Sequence, residues 1–217
     1  FDLIVPDEFK DGSQFSGADK REVGETIRMD RYGRKIFVSR IKTPIIVNDE
    51  ISAMLVIYQD ITNEKKNKLL QEILYNISNT ALKQLEIKDL YPAIVRELSK
   101  IWETRNLFIA IYNKMTDSLS LPFFADEEDN FYELPARKTL TGWVIRNNRS
   151  ILLKEKEILE LEKTGEVGSV GTPCKVWMGV PLRVEDEIIG AICLQDYHDE
   201  NKFSPDDLYA LDFIANQ

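Results

Sequence analysis

The stretch VWMGVPLRVEDEIIGAICLQDY, residues 176–197, carries two apolar runs of strand length, 176–184 and 188–197, around the polar turn Glu185, Asp186, Glu187. Apolar runs of this length closed on a polar turn predict a β-hairpin. Upstream, LFIAIY (107–112) and SLSLPFF (118–124), joined by the turn NKMTD, predict a second strand pair. A helix is expected from Leu90 to Trp102, with Asp89 as its cap and Pro92 tolerated in its first turn. Between the two strand pairs, LTGWVIRNN reads as a short helix from Thr141 to Asn147 and SILLK as a short strand. EKEILELEKTG reads as a helix stopped by Gly165, and GSVGTP as a glycine loop. The last segment, FSPDDLYALDFIANQ, has Ser204 as N-cap, Pro205 at the first helical position and Asp207 three residues after the cap, a strong helix start. This order predicts an α+β fold: a central antiparallel sheet, long helices together on one face, and short helices and loops over the other. A cover of that kind can enclose a small molecule.

The N-terminal third follows a different pattern. IFVSRI (36–41) and ISAMLVIY (51–58) predict a hairpin turning at Val47–Glu50, with Pro44 demoting the intervening stretch to an edge or bend. The polar, glycine-bearing residues 11–24 are expected to form a connector. In YQDITNEKKNKLLQEIL (58–74) strand alternation gives way, without a loop, to helical periodicity after Thr62, the expected N-cap. Leu69, Leu70, Ile73, Leu74, Ile77 and Ala81 form the apolar stripe of that helix. The stripe holds barely two heptads, so it suits either packing on its own domain or sharing with a dimer partner.

The chain has 217 residues, which suits one or two domains, and two small cores suit it better than one. It starts at Phe1 and is expected to be a piece of a longer protein. A net charge of −9 argues against a nucleic-acid surface. Two cysteines, Cys174 and Cys193, without a CxxC or Cys/His cluster, read as reduced thiols of a cytoplasmic protein. Apolar runs reach only about five residues against the ~20 that span a bilayer, so no membrane contact by this segment is expected.

DRYGRKIFVSRIKTPIIVNDEISAMLVIYQDIT resembles the last three strands of a PAS domain, closing on Asp60, Ile61 and Thr62. The resemblance implies a partial PAS domain over residues 1–62 and a connecting, signalling helix over 63–85. NLFIAIYNKMTDSLSLPFF, LTGWVIRNNRSILL, GTPCKVWMGVPLRVEDEIIGAICLQDY and KFSPDDLYALDFIANQ are similar to a GAF domain, covering residues 86–217, with the first GAF helix overlapping the connector. Together they look like the PAS-GAF segment of a sensor histidine kinase. That implies a regulatory module, sensing a small ligand or relaying a conformational change to an output domain outside this chain, with Asp60 and Thr62 in the relay. The helices at 64–85 and 205–217 are the candidate homodimer interface. The alternatives are a haem-based redox or gas sensor, and the sensory part of a diguanylate cyclase or transcription regulator.

If a ligand binds, the resemblance makes Tyr112, Phe123, Trp143 and Trp177 its walls and Cys193 and Gln195 its floor. Each ring also suits ordinary core packing. Neither cysteine is followed by histidine, unlike the usual bilin-carrying GAF pattern. His198, the lone histidine, sits in an acidic loop and reads as a surface residue. NKFSPDD is similar to a cyclic-nucleotide signature only in part: Asn201 and Lys202 abut Phe203, and Leu208 stands where the family has glutamate. Arg137, Lys138, Arg146 and Arg149 surround the start of the 141–147 helix, where an anion could sit, although a solvated basic face is the commoner meaning. No Ser, Cys or carboxylate stands near His198 at triad spacing, so the segment reads as non-catalytic. The cofactor is left unknown.

Overall fold

A computed structural model describes residues 21–31, 35–83, 87–185 and 187–216. The chain divides into two compact units, residues 1–71 and 72–217.

In the first unit β1 (Glu22–Met29), β2 (Lys35–Val47) and β3 (Glu50–Asp60) form an antiparallel sheet in the order β1-β2-β3. Residues 22–24, expected in a connector, instead start β1, where Glu22 pairs with Lys42; the rest of that expected connector, 11–20, lies outside the described residues. The ladder of β2 supplies backbone partners that a polar stretch cannot announce in sequence. Asn48 and Asp49 both adopt left-handed backbone, φ 52° and 62°, which matches a two-residue turn to the twist of β2 and β3. Pro44 lies inside β2, pairing with Met54 of β3 but beyond Lys42, the last residue paired with β1, so its missing N–H breaks no second ladder.

One residue, Ile61, separates β3 from α1 (Thr62–Leu82). Ile61 N–H donates to Phe37 O at 2.8 Å, and Ile61 O accepts the first helical bond from Lys65 at 3.0 Å. Thr62 is therefore the first helical residue and not the N-cap. Its Oγ1 accepts from Phe37 N–H at 3.0 Å, while Asp60 Oδ1 accepts from Thr62 N–H at 2.9 Å.

The second unit holds the rest of α1 together with α2 (Ile87–Leu98), β4 (Leu107–Asn113), β5 (Ser118–Ala125), β6 (Glu133–Pro135), α3 (Leu140–Asn147), β7 (Ile151–Lys154), α4 (Glu155–Thr164), β8 (Val176–Val184), β9 (Glu187–Asp196) and α5 (Pro205–Ala215). Its six strands run antiparallel in the order β6-β5-β4-β9-β8-β7. Two expectations are corrected in detail, and one strand is added. The helix α2 begins at Ile87, so Asp89 lies in its first turn and Pro92 lies within it; a proline there forfeits only the one bond to Lys88 O. Thr139, not Thr141, caps α3, its Oγ1 accepting from Gly142 N–H at 3.0 Å. The short strand β6 has no apolar alternation of its own and exists by pairing with β5.

Side chains of the sheet alternate between two layers. Leu107, Ile109, Met178, Val180 and Leu194 face one way and are at most 1% exposed, in a core with Leu98 of α2 and Leu211 of α5. Phe108, Ala110, Trp177, Ala191 and Cys193 face the other way, under α3. Gly190 permits β4 and β9 to close, since a Cβ there would lie 2.0 Å from Ala110 O.

Candidate functional site

The second layer of the six-stranded unit holds a partly open cavity of about 90 Å³. Phe108, Trp177 and Gln195 supply the sheet side; Thr139, Leu140 and Thr141 come from the start of α3, and Ile158 and Glu162 from α4. Residues Gly168–Cys174 form a loop over it, and Phe124, Asp129, Phe131 and Leu134 close the far side. The aromatic wall is continuous: Phe124 lies 5.6 Å from Phe108 and 5.9 Å from Phe131 between ring centroids. Trp177 folds over Gly179, where an added Cβ would meet the indole at 2.2 Å, so that glycine is what lets the ring lie flat on the sheet.

The loop is held at both ends. Val167 is 2% exposed and Gly168 N–H donates to Lys138 O at 2.6 Å. At the other end Asp129 accepts from Thr172, through the backbone N–H at 2.8 Å and through Oγ1 at 3.2 Å. Gly171 between them has φ 79°, and a Cβ there would strike Asp129 Oδ2 at 2.5 Å.

Beside the cavity Asp126 organises a polar group. It accepts from Gln195 Nε2 at 2.6 Å and from Tyr197 OH at 2.7 Å, and Gln195 Nε2 also donates to Tyr197 OH at 2.8 Å. The acceptor-only carboxylate fixes the orientation of the amide. Burial, then the hydrogen bond and charge of Asp126, push the Tyr197 phenol well above its ordinary range. Burial pushes Cys174, in the cavity wall, up to about 12, and pushes Cys193 up as well. Both thiols are therefore protonated at neutral pH and poor nucleophiles.

Of the six residues expected around a ligand, Trp177 and Gln195 line this cavity. Cys193 lies a layer below, fully buried with Sγ 3.7 Å from Thr141 Oγ1. The other three are corrected. Phe123 pairs with Ile109 and faces the helix-covered layer, while Phe124 takes the cavity side. Ile111 pairs with Ser120 and Ile109 with Phe123, so two residues of β5 oppose Ala110 alone, and this bulge reverses the alternation that would have turned Phe123 inward. Trp143 is half-buried against the apolar cluster under α3 but does not line the cavity, its Nε1 donating to Glu166 Oε2 at 2.8 Å. Tyr112 lies in a separate open groove with Lys114, Arg146 and Glu187, its hydroxyl donating to Asp117 at 3.1 Å. Sequence reading missed Phe108, Phe124, Phe131, Asp129 and Glu162; Pro122 inside an apolar strand was the available sign of the bulge.

None of the four basic residues near α3 lines the cavity. Arg146 donates to Ala136 O at 3.0 Å and Arg137 lies 3.8 Å from Asp117. His198 is exposed, with its backbone N–H on Asp196. Asn201 and Lys202 are engaged elsewhere, by Lys154 at 2.7 Å and Glu103 at 2.6 Å, and Ser204 and Asp207 form the α5 capping box. Among the described residues no group of three or more His, Cys, Asp or Glu side chains is arranged to hold a metal ion. Among them, too, no helix is long and apolar enough to cross a membrane.

An antiparallel sheet with helices behind and a covered cavity in front defines a small α+β domain built around a pocket. The chain belongs to the GAF domain family, whose model matches residues 84–217. GAF domains are a regulatory, sensory fold of signalling proteins. Solved structures agree at the level of fold. The GAF domain of an Acinetobacter phosphoenolpyruvate-protein phosphotransferase is 14% identical with a TM-score of 0.52, covering 70% of this chain and 88% of that one. A free methionine-R-sulfoxide reductase from Neisseria meningitidis, solved with its substrate, is 14% identical with a TM-score of 0.54, covering 69% and 86%. The phycocyanobilin-bound GAF domain of a cyanobacterial phytochrome is 14% identical with a TM-score of 0.52, covering 67% and 89%. No curated protein matches the chain.

Proposed function

We propose that this chain is the sensory segment of a cytoplasmic signalling protein, in which a small molecule held in the GAF cavity biases the helices that lead to an output domain. The observation that carries the reading is the cavity itself. It is lined by four aromatic rings and a few fixed polar groups, and it is closed by a loop pinned through Asp129 and Thr172. That is the composition expected of a small-molecule site. Residues 1–62 are read as the C-terminal part of a PAS domain, and a histidine kinase is the output that best suits the PAS-GAF order. The direct run of β3 into α1, with Asp60 and Thr62 bonded at the junction, supports a relay, because a strand displacement reaches the helix without a loop to absorb it. Coupling of about 1–3 kcal/mol is enough for such regulation.

The segment itself is read as a binding module and not an enzyme, consistent with its two buried, protonated thiols. A homodimer is proposed through α1 and α5, where Tyr75 (68%), Leu82 (78%) and Tyr209 (74%) leave large apolar side chains in solvent.

The test is a thermal-shift screen of small metabolites on the chain and on Ile158→Trp, whose added ring would fill the cavity from a half-buried position on α4. A ligand that raises the melting temperature of the first and not of the second supports the reading. Hits that survive the substitution would move binding elsewhere, and a haem absorption band in the purified chain would replace the reading with a haem sensor.

A further inference from the structure

The geometry points to a small organic ammonium as the ligand of this cavity, a conclusion that rests on the cavity being the sensory site. Three features of the wall converge on it. The charged residues among those lining it, Asp129 and Glu162, are both acidic, and no lysine or arginine is among them. Asp129 spends part of its acceptor capacity on Thr172, and a carboxylate accepting two bonds keeps lone-pair positions for more. Among the described residues the Glu162 carboxylate has no hydrogen bond or ion pair.

Two of the uncharged polar groups in the wall, Gln195 and Thr139, have the same character. Both amide protons of Gln195 go to Asp126 and Tyr197, so what the amide can offer the cavity is its carbonyl oxygen, an acceptor. Thr139 Oγ1 donates to Ala136 O and accepts from Gly142 N–H, which leaves it little to give a ligand. A wall rich in acceptors and negative charge matches a ligand that donates and carries positive charge.

The rings complete the match. Phe108, Phe124, Phe131 and Trp177 present aromatic surface to the cavity, and π-faces attract an organic cation, the more so where water is excluded. A phosphate or carboxylate would meet carboxylates and ring faces here, with no basic side chain to compensate. The elevated phenol of Tyr197 is consistent with the same field, since the charges of Asp126 and Asp129 both contribute to it after burial. At about 90 Å³ the space suits a handful of non-hydrogen atoms, given ~10–15 Å³ per water-sized body.

The test uses three probes of one branched skeleton and three charges: isobutylammonium, isobutanol and isovalerate. Each is titrated into the full chain at constant ionic strength and followed by intrinsic tryptophan fluorescence and thermal shift. The expected result is that isobutylammonium binds about tenfold more tightly than isobutanol, with isovalerate weakest. Glu162→Gln, which breaks no interaction among the described residues, is expected to weaken the ammonium about tenfold and to leave isobutanol unchanged. Tighter binding of isobutanol or isovalerate, abolished by Ile158→Trp, would overturn the ammonium assignment while keeping the cavity as the sensory site. An ammonium response unaffected by Glu162→Gln would likewise overturn it. No response to any of the three would overturn both the assignment and the cavity reading.

Discussion

The two sheets of this protein are built from similar residues and end in opposite environments. In β9, Ile192 and Leu194 are 3% and 0% exposed; in β3, Leu55 and Ile57 are 48% and 49% exposed. Nearly every residue of β3 is open to solvent, whichever face it points to, and among the described residues it pairs on one side only, with β2. The strand β9 has β4 on one side and β8 on the other, α3 over one face and α5 against its neighbour β8 on the other. The comparison shows that apolar alternation specifies a strand but not its burial. Burial requires a second layer, and that layer comes from distant parts of the chain.

The largest effect should come from the core of the larger unit. Leu194→Ala, at a fully buried site, should cost about 3 kcal/mol in urea unfolding of that unit, because a cavity is left where the sheet meets the helices. Ile57→Ala on β3 should cost below about 1 kcal/mol, and a cost equal to that of Leu194→Ala would break the comparison by showing that β3 is covered in solution. Expressed alone, residues 62–217 should melt in one cooperative transition seen alike by circular dichroism and tryptophan fluorescence, whereas residues 1–71 should not.

A smaller, pH-dependent effect is expected at Glu97, 8% exposed between α1 and the end of α2. Burial raises its carboxyl, but hydrogen bonds from Lys100 and Asn76 and the charges of Lys100 and Arg96 outweigh that, leaving it below its ordinary 4.5. The folded carboxyl therefore binds its proton less readily than the unfolded one. The stabilisation is complete above pH 4.5 and is lost as pH falls through the lowered value. Glu97→Gln should destabilise the larger unit by about 1–2 kcal/mol at pH 7 and flatten the acid limb of its stability profile, checked by urea midpoints between pH 3 and 7. The smallest effect should be at the exposed Lys65–Glu25 pair of the first unit, where Glu25→Gln should change stability by less than about 0.5 kcal/mol. A large loss there would show that α1 is held to β1 more firmly than a solvated pair allows.

Most elements of the larger unit were legible in sequence because each carries its own local reason. Ser204, Pro205 and Asp207 begin α5 by capping chemistry that acts within four residues, and Gly165 stops α4 at φ 77° because only glycine takes that backbone without penalty. The cavity was legible only in part. Trp177 and Gln195 were placed by the family resemblance, and the regular alternation of β8 and β9 keeps them on the cavity face, while Phe123 was misassigned because one extra residue in β5 reverses every side chain beyond it. Asp129 and Glu162 carried no signal, since an acidic loop residue and an acidic helix residue look like solvated charges until the loop folds back over the sheet.

Sequence alone determined what depends on neighbours along the chain: strand alternation, the capping box of α5, the glycine stop of α4, the turn at Asn48 and Asp49, the junction of β3 with α1, and a negative charge unsuited to nucleic acid. Tertiary structure alone decided which of two apolar strands is buried, which of two adjacent phenylalanines faces the cavity, and which carboxylates line it. Those outcomes depend on strand register and on packing between residues tens of positions apart, and neither is encoded in any local run of amino acids.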